Sequence, residues 1–158
     1  MRAIVAGTFD PPTIAHLDLI KRAWELFDNV TVLVAVNPAK STFLIPPETR
    51  VWLLKQCIPN LDARVWQGLL ADFKVPDEGC VLVRGLRTVS DFESEMVQAH
   101  VNEDLGLPTV LLPTTATASY VSSSIVRQFI QFKALERAQA YLPTPVYEYL
   151  RGFGAGVS

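Results

Sequence analysis

Cysteine and histidine are scarce in this sequence, and neither forms a cluster. The two cysteines, Cys57 and Cys80, lie far apart and show no C-x-x-C spacing. This excludes a disulfide framework and favours a reducing compartment. The two histidines, His16 and His100, are also widely separated, so a structural zinc site is not expected. We interpret Cys57, Cys80 and His100 as structural residues.

An excess of basic residues is also missing. The chain has 14 Lys and Arg against 16 Asp and Glu, a formal net charge of −2. General nucleic-acid binders carry a basic stripe, so a nucleic-acid partner is not expected. The sequence has no apolar run of membrane-spanning length, and its first residues lack the layout of a signal peptide. We therefore expect a cytoplasmic protein without a membrane partner, in which a few placed cations could bind an anionic substrate.

The 158 residues are 49% hydrophobic, which predicts a single globular domain over residues 1–158. Short apolar runs alternate with amphipathic segments along the chain. The apolar runs predict strands over residues 3–6, 30–36, 63–66, 81–83 and 109–112. The amphipathic segments predict helices over residues 14–27, 46–57 and 90–105, with two more beginning at 122 and 143. Thr13 and Ser90 are the expected N-caps of the first and third helices.

Strands that alternate with helices predict a doubly wound α/β fold, with a five-stranded parallel sheet covered by helices on both faces. Ligands of such sheets bind beyond the carboxyl ends of the strands, at the topological switch point. The segments that follow the predicted strands therefore hold the candidate functional residues. They are residues 7–10, 37–40, 68–70, 84–87 and 113–124.

The first of these segments joins the first strand to the first helix. Gly7 permits close approach of the backbone to a ligand, Thr8 offers a hydroxyl and an amide, and His16 falls in the first helical turn. A helix start favours phosphate and disfavours a protonated histidine, yet a neutral imidazole can still donate to a phosphate oxygen. A capped turn with an exposed histidine is the alternative, and the combination of all three residues favours phosphate binding.

Cations and hydroxyls in the other segments fit the same chemistry. Lys40 follows the second strand and is placed for an acceptor phosphate or for developing charge. Arg84 and Arg87 carry guanidinium groups, which suit phosphate recognition. Residues 122–124 are three serines at a helix start, where hydroxyls and free amides predict a phosphate cradle. Solvated surface cations and a simple helix cap are the alternatives.

These segments also resemble a known family. The run G-T-F-D-P-P-T-I-A-H at 7–16 is similar to the T-x-G-H signature of the nucleotidyltransferase superfamily, with Ala15 where glycine is usual. The run V-R-G-L-R-T-V-S-D-F-E-S-E-M at 83–96 resembles bacterial phosphopantetheine adenylyltransferases, as do N-P-A-K at 37–40, G-L-L-A-D-F at 68–73 and Y-V-S-S-S at 120–124. Two departures are Ser94 in place of tyrosine and a longer 113–122 segment without tryptophan.

The resemblance implies a Rossmann-like nucleotidyltransferase fold and a role for each matching residue. The implied catalytic residues are His16, Thr8 and Lys40. The implied ATP contacts are Thr8, Phe9, His16, Gly85, Leu86, Arg87, Glu95, Tyr120, Val121, Ser122, Ser123 and Ser124. The implied acceptor contacts are Thr8, Lys40, Leu70 and Arg84.

The implied reaction joins ATP and 4′-phosphopantetheine to give dephospho-coenzyme A and pyrophosphate in coenzyme A synthesis. Mg²⁺ is the implied cofactor, and we expect the triphosphate to hold it because the sequence shows no carboxylate cage. The resemblance also implies a homo-hexamer. The alternatives are a related enzyme that acts on nicotinamide mononucleotide or glycerol 3-phosphate, and a nucleotide-binding module without turnover.

Overall fold

The computed structural model describes residues 1–36, 42–73, 79–115 and 118–154. Its five strands are β1 (Arg2–Gly7), β2 (Asn29–Ala35), β3 (Asp62–Trp66), β4 (Cys80–Leu86) and β5 (Thr109–Pro113). Its α-helices are α1 (Ile14–Leu26), α2 (Pro47–Cys57), α3 (Val89–Asp104), α4 (Ser123–Gln131) and α5 (Thr144–Gly154). Two 3₁₀ helices, Leu70–Asp72 and Leu135–Tyr141, had no counterpart among the predicted elements.

All five strands pair in parallel in the order β3-β2-β1-β4-β5, which confirms the predicted sheet. The chain winds outward from β1 through β2 to β3, and then crosses back to β4 and continues to β5. Right-handed crossovers in opposite directions place α3 on the face opposite α1 and α2. The winding reverses between β1 and β4, so the switch point lies there.

Alternate residues of β1 enter two separate apolar clusters, as the period of a strand requires. Ala3 and Val5 pack in a cluster with Ile20 of α1, whereas Ile4 packs with Phe73 on the other face. Burial of both faces explains why β1 and β2 are nearly continuous apolar runs. The sheet thereby holds the carboxyl ends of β1 and β4 in fixed positions.

The C-terminal part of the chain forms a further apolar layer on α2. Leu53 of α2 packs with side chains of α4, α5 and the second 3₁₀ helix. Val126 of α4 and Val146 of α5 are fully buried in this cluster. This packing fixes α4, whose first turn reaches the carboxyl edge of the sheet.

Two local predictions were wrong. Thr88, not Ser90, is the N-cap of α3, because its hydroxyl oxygen accepts a hydrogen bond from the Asp91 amide at 3.1 Å. The fourth strand was predicted to end at residue 83, yet β4 continues to Leu86 because it pairs there with β5. In the described part of the chain, none of the helices combines the length and the apolar character needed to cross a membrane.

Candidate active site

A crevice opens where β1 and β4 separate. The two strands pair as far as Val5 and Val83. Beyond that point β1 stays with β2 to Gly7, whereas β4 stays with β5. The Arg84 side chain bridges the strands here, since its Nη1 donates to the carbonyl of Ala6 at 2.7 Å. The carboxyl ends of the central strands therefore border an open space, as expected at a switch point.

This space is a cleft of about 490 Å³ that collects most of the residues predicted from the sequence. The predicted residues that line it are Thr8, Phe9, His16, Leu70, Arg84, Gly85, Arg87, Glu95, Val121, Ser122, Ser123 and Ser124. Leu86 and Tyr120 do not line it, and the exposed Tyr120 ring packs edge-on against Tyr141. Lys40 lies outside the described residues.

His16 is held in a defined tautomer by the residue that caps its helix. The backbone N–H of Thr13 donates to Nδ1 of His16 at 3.0 Å, and the Thr13 hydroxyl lies 3.1 Å from the same nitrogen. An amide can only donate, so Nδ1 is the acceptor and the ring proton is assigned to Nε2. The neutral imidazole therefore offers one N–H donor at the cleft.

Electrostatics keep this imidazole neutral. Burial, followed by the positive charges of Arg87 and Arg84, lowers the pKa of His16 from 6.5 to about 4. Beneath it, the ring of Phe9 meets the imidazole edge-on, with 4.9 Å between centroids. Phe9 is 1% exposed, so its ring is a buried surface against which His16 packs. Its φ of 50° lies in the left-handed region. A Cβ at Gly7 would approach that ring to 3.3 Å, which explains glycine there.

Two arginines of the cleft are each held by a carboxylate of α3. Arg84 donates from Nε and Nη2 to the Glu95 carboxylate, at 2.8 and 2.6 Å. Arg87 donates to Asp91 from Nε at 3.1 Å. Arg84 and Gly85 lie within β4 rather than in a loop after it, so the strand fixes their positions. The predicted contact of Glu95 with ATP stays a prediction, and its carboxylate already has a partner.

The three serines at 122–124 join α4 to the first loop, which is the segment 8–13 between β1 and α1. Ser122 caps α4, where its hydroxyl oxygen accepts from the Ile125 amide at 3.2 Å. The Ser123 hydroxyl donates to the carbonyl of Pro11 at 2.8 Å. The hydroxyl oxygen of Ser124 accepts from Arg127 at 3.1 Å. Ser123 has used its hydroxyl proton, whereas Ser122 and Ser124 accept and keep theirs. Those two hydroxyls and the first amides of α4 are donors that suit a phosphate.

Sequence reasoning missed the pair that supports the first loop. The Asp10 carboxylate accepts from the amides of Leu44 and Ile45 at 2.8 and 2.9 Å. Arg50 is 3% exposed, lies 3.6 Å from that carboxylate and donates to the carbonyl of Thr8 at 2.9 Å. No local pattern identifies this pair, because its members are far apart in sequence.

Sequence reasoning also missed Arg127, which lines two adjoining clefts. A second cleft of about 620 Å³ adjoins the first, and the two share Thr8, Ala35 and Arg127. The guanidinium donates to the carbonyl of Asp10 at 2.6 Å and to Ser124. Its position three residues after Ser124, on the same helix face, was the one available signal.

A metal site made of protein side chains is not found among the described residues. In those ranges, no group of three or more His, Cys, Asp and Glu is placed to hold an ion. The carboxylates that line the first cleft, Asp91 and Glu95, are both engaged by arginine. The donors of the cleft are therefore mainly N–H groups and hydroxyls, which suit an anionic ligand.

Comparison with known proteins agrees with this geometry. Residues 4–129 match the family described as cytidylyltransferase-like. The phosphopantetheine adenylyltransferase of Clostridium novyi is 44% identical over 135 residues, which cover 82% of this chain and 83% of that protein. That of Moorella thermoacetica is 45% identical over 131 residues, 80% of this chain and 81% of that protein.

A solved structure shares the fold at low sequence identity. The lipopolysaccharide core biosynthesis protein from Thermoplasma volcanium superposes with a TM-score of 0.50 over 73% of this chain and 96% of its own, at 20% identity. The fold, the residues of the cleft and the sequence relatives all agree with one family assignment. The chain belongs to the phosphopantetheine adenylyltransferase family, within the cytidylyltransferase-like proteins.

Proposed function

We propose that this protein transfers the adenylyl group of ATP to 4′-phosphopantetheine, giving dephospho-coenzyme A and pyrophosphate. One observation carries the proposal. Thr8, a neutral His16 and three arginines (Arg84, Arg87 and Arg127) line a single cleft at the switch point of the sheet. The relatives named for this activity match four-fifths of the chain. Both the chemistry of the cleft and the family assignment support the same reaction.

The reaction needs no nucleophile from the protein. An oxygen of the acceptor phosphate attacks the α-phosphorus of ATP, the bond from that phosphorus to the bridging oxygen breaks, and pyrophosphate leaves with the electron pair. Catalysis then consists of holding the two anions in line and stabilising charge on the α-phosphate. We assign that stabilisation to Nε2–H of His16, to Thr8 and to Lys40. One preorganised donor of this kind contributes about 3–4 kcal/mol.

The neutral state of His16 suits this role. With a pKa of about 4, the imidazole carries no proton on Nδ1 at neutral pH. Nδ1 therefore keeps its hydrogen bond from Thr13, which holds the ring in one orientation. A donor fixed in advance needs no reorganisation when charge develops on the phosphate.

We assign the acceptor to the part of the cleft lined by Leu70 and Arg84, and the nucleotide to Arg87 and the start of α4. Leu70 contributes an apolar surface for the mostly uncharged pantetheine arm. Its neighbour Leu69 does not line the cleft, so Leu70 is the leucine of residues 68–70 that provides this surface. Arg84 supplies the charge beside that surface, and Glu95 orients it.

Mg²⁺ fits this donor set only as an ion that is bound by the nucleotide's phosphates. The carboxylates of the first cleft are paired with arginines, so the described residues offer no cage for a hard cation. We propose that the triphosphate brings Mg²⁺ into the cleft, where the ion neutralises phosphate charge. The chain's own residues then bind and orient the two substrates.

We also propose that the protein works in the cytoplasm as a homo-oligomer, with six copies as the resemblance implies. None of the residues of α3, which lies wholly in the described part of the chain, is buried. The side chains of Val89 and Val97 are more than half exposed, and that of Val101 is 49% exposed. Val97 and Val101 are one turn apart on one face of α3, and exposed apolar side chains grouped on one face are typical of an interface. Light scattering on purified protein would measure the number of copies.

The activity is tested by identifying the products. Purified protein is incubated with ATP, Mg²⁺ and 4′-phosphopantetheine, and mass spectrometry measures dephospho-coenzyme A. CTP in place of ATP is the matched control, because the wider family is described as cytidylyltransferase-like. With CTP the product would be the cytidylyl analogue of dephospho-coenzyme A, which mass spectrometry measures at its own mass. We expect dephospho-coenzyme A with ATP and little of the cytidylyl analogue with CTP. If dephospho-coenzyme A does not form, the proposal is wrong.

A further inference from the structure

Trp66 is the last residue of β3, just before the segment that carries Leu70 to the first cleft, and it lines neither cleft itself. The sheet holds its backbone, because the carbonyl of Trp66 accepts from the Val36 amide at 2.9 Å. Its partly buried side chain packs, as Leu70 does, against the apolar cluster that contains Phe73. A residue in this position acts on the site through its neighbours and not by touching a substrate.

The indole N–H of Trp66 holds the start of the short 3₁₀ helix Leu70–Asp72. Its Nε1 donates to the carbonyl of Leu69 at 3.0 Å. The same carbonyl accepts from the amide of Asp72 at 3.1 Å, which closes the first turn of this helix. One oxygen therefore joins the indole to the helix. Since an indole N–H is a donor only, a carbonyl is the kind of partner that it requires.

The ring of Trp66 holds the other end of the same helix. Phe73 follows the helix, is 6% exposed, and meets the indole edge-on, with 5.3 Å between centroids and 90° between planes. Aromatic pairs favour this arrangement. Before the helix, Gly68 has a φ of 141°, and a Cβ there would lie 3.8 Å from the indole Nε1, so the chain turns closely past the ring. Trp66 thus fixes the chain on both sides of Leu70.

We propose that Trp66 is a positioning residue for the acceptor, because it holds Leu70 where the pantetheine arm binds. This inference rests on the proposed transfer to 4′-phosphopantetheine. Leu70 is the residue of the segment 68–73 that lines the cleft. If the segment were not held, binding of the arm would have to order it, which costs affinity. The effect of Trp66 therefore falls on KM for the acceptor, and not on kcat or on KM for ATP.

Steady-state kinetics of the wild type, Trp66→Phe, Leu70→Ala and the double variant test this role. Trp66→Phe keeps an aromatic ring beside Phe73 and removes the N–H donor. Trp52→Phe is the matched control, since Trp52 is 52% exposed and lines neither cleft. We expect Trp66→Phe to raise KM for 4′-phosphopantetheine about fivefold, or about 1 kcal/mol, as for one neutral hydrogen bond. Its kcat and its KM for ATP should stay within about twofold of the wild type, as should all constants of the control.

The double variant shows whether Trp66 acts through Leu70. If it does, truncating Leu70 removes most of what Trp66 contributes, and adding Trp66→Phe to Leu70→Ala should raise KM for the acceptor by no more than about twofold. A further rise of the full fivefold would show that the two residues act independently, and would overturn the inference. An equal rise in KM for both substrates in Trp66→Phe, as expected of a general structural role, would also overturn it.

Failure of the inference is distinguishable from failure of the proposed function. If the wild type forms no dephospho-coenzyme A, the proposed function is wrong and the inference falls with it. If the product forms and KM for the acceptor is the same in the wild type and in Trp66→Phe, the inference alone is wrong. If circular dichroism shows that Trp66→Phe does not fold, Trp66→Tyr is assayed in its place, and an unchanged KM for the acceptor there overturns the inference.

Discussion

The two arginine–carboxylate pairs of the cleft allow acceptor binding and nucleotide binding to be tested separately by mutation. Glu95→Gln keeps the shape of the side chain but leaves one oxygen to accept from Arg84. Arg84 donates two hydrogen bonds to Glu95, at 2.8 and 2.6 Å, and this change removes one of them. A hydrogen bond to a charged group contributes about 1.5–3 kcal/mol. Because Arg84 is only partly buried, we use the lower end, which corresponds to about a tenfold rise in KM for 4′-phosphopantetheine.

Asp91→Asn is the matched change on the nucleotide side. Its bonds to Arg87 are longer, at 3.1 and 3.4 Å, and both side chains are more exposed. An exposed pair of this kind contributes at most about 1 kcal/mol. We therefore expect a rise of no more than about fivefold in KM, and for ATP rather than for the acceptor.

Steady-state kinetics with each substrate varied in turn measures both effects, and thermal melting checks that both variants fold. We expect Glu95→Gln to raise KM for the acceptor and Asp91→Asn to raise KM for ATP. If Glu95→Gln raised KM for ATP as much as KM for the acceptor, Glu95 would contact the nucleotide, as the family resemblance implies. The assignment of Arg84 to the acceptor would then be refuted.

Three further predictions follow from His16 and Asp10. His16→Ala should lower kcat by about 10²–10³, with a smaller change in KM for ATP, and a kcat near that of wild type would remove His16 from the mechanism. The unfolded chain protonates His16 near pH 6.5 but the folded chain only near pH 4, so the unfolded state binds more protons between these values. Stability should therefore fall on acidification through that window, and urea titrations should show a smaller fall for His16→Gln. Asp10→Ala leaves the buried Arg50 charge and the amides of Leu44 and Ile45 unpaired, and should cost about 3–5 kcal/mol of unfolding free energy.

Much of the sheet could be predicted because its strands are buried on both faces. Residues 30–36 form a nearly continuous β-branched run, and β2 was placed within one residue at each end. The end of β4 could not be predicted in this way. Arg84 and Gly85 look like loop residues, and they are strand residues because β5 pairs with them. Pairing with a distant strand leaves no signal in the local sequence.

The cap of α3 shows a second limit. Thr88 and Asp91 stand three residues apart, and so do Ser90 and Glu93. Both pairs match the spacing of a capping box, so spacing alone does not choose between them. The choice depends on where β4 ends, because the turn that follows the strand places Thr88 before the first helical residue.

The candidate site was located by topology and not by its contacts. The rule that ligands bind at the carboxyl ends of parallel strands brought Thr8, His16 and Arg84 to one cleft, where the structure places them. The same rule says nothing about which side chains are already engaged. The bonds of Ser123 to Pro11 and of Arg127 to Asp10 join distant segments, and each needs the packing of α4 to exist.

The central claim is that this protein adenylates 4′-phosphopantetheine in preference to other small phosphates. The most direct measurement is kcat/KM for pyrophosphate release with ATP and each of three acceptors: 4′-phosphopantetheine, nicotinamide mononucleotide and glycerol 3-phosphate. The cleft offers Arg84 for one phosphate and Leu70 for an uncharged arm, and no aromatic ring among its described lining residues except Phe9 and His16. We expect 4′-phosphopantetheine to exceed the other two by at least about 100-fold, or about 2.7 kcal/mol. A higher kcat/KM with nicotinamide mononucleotide would contradict the account.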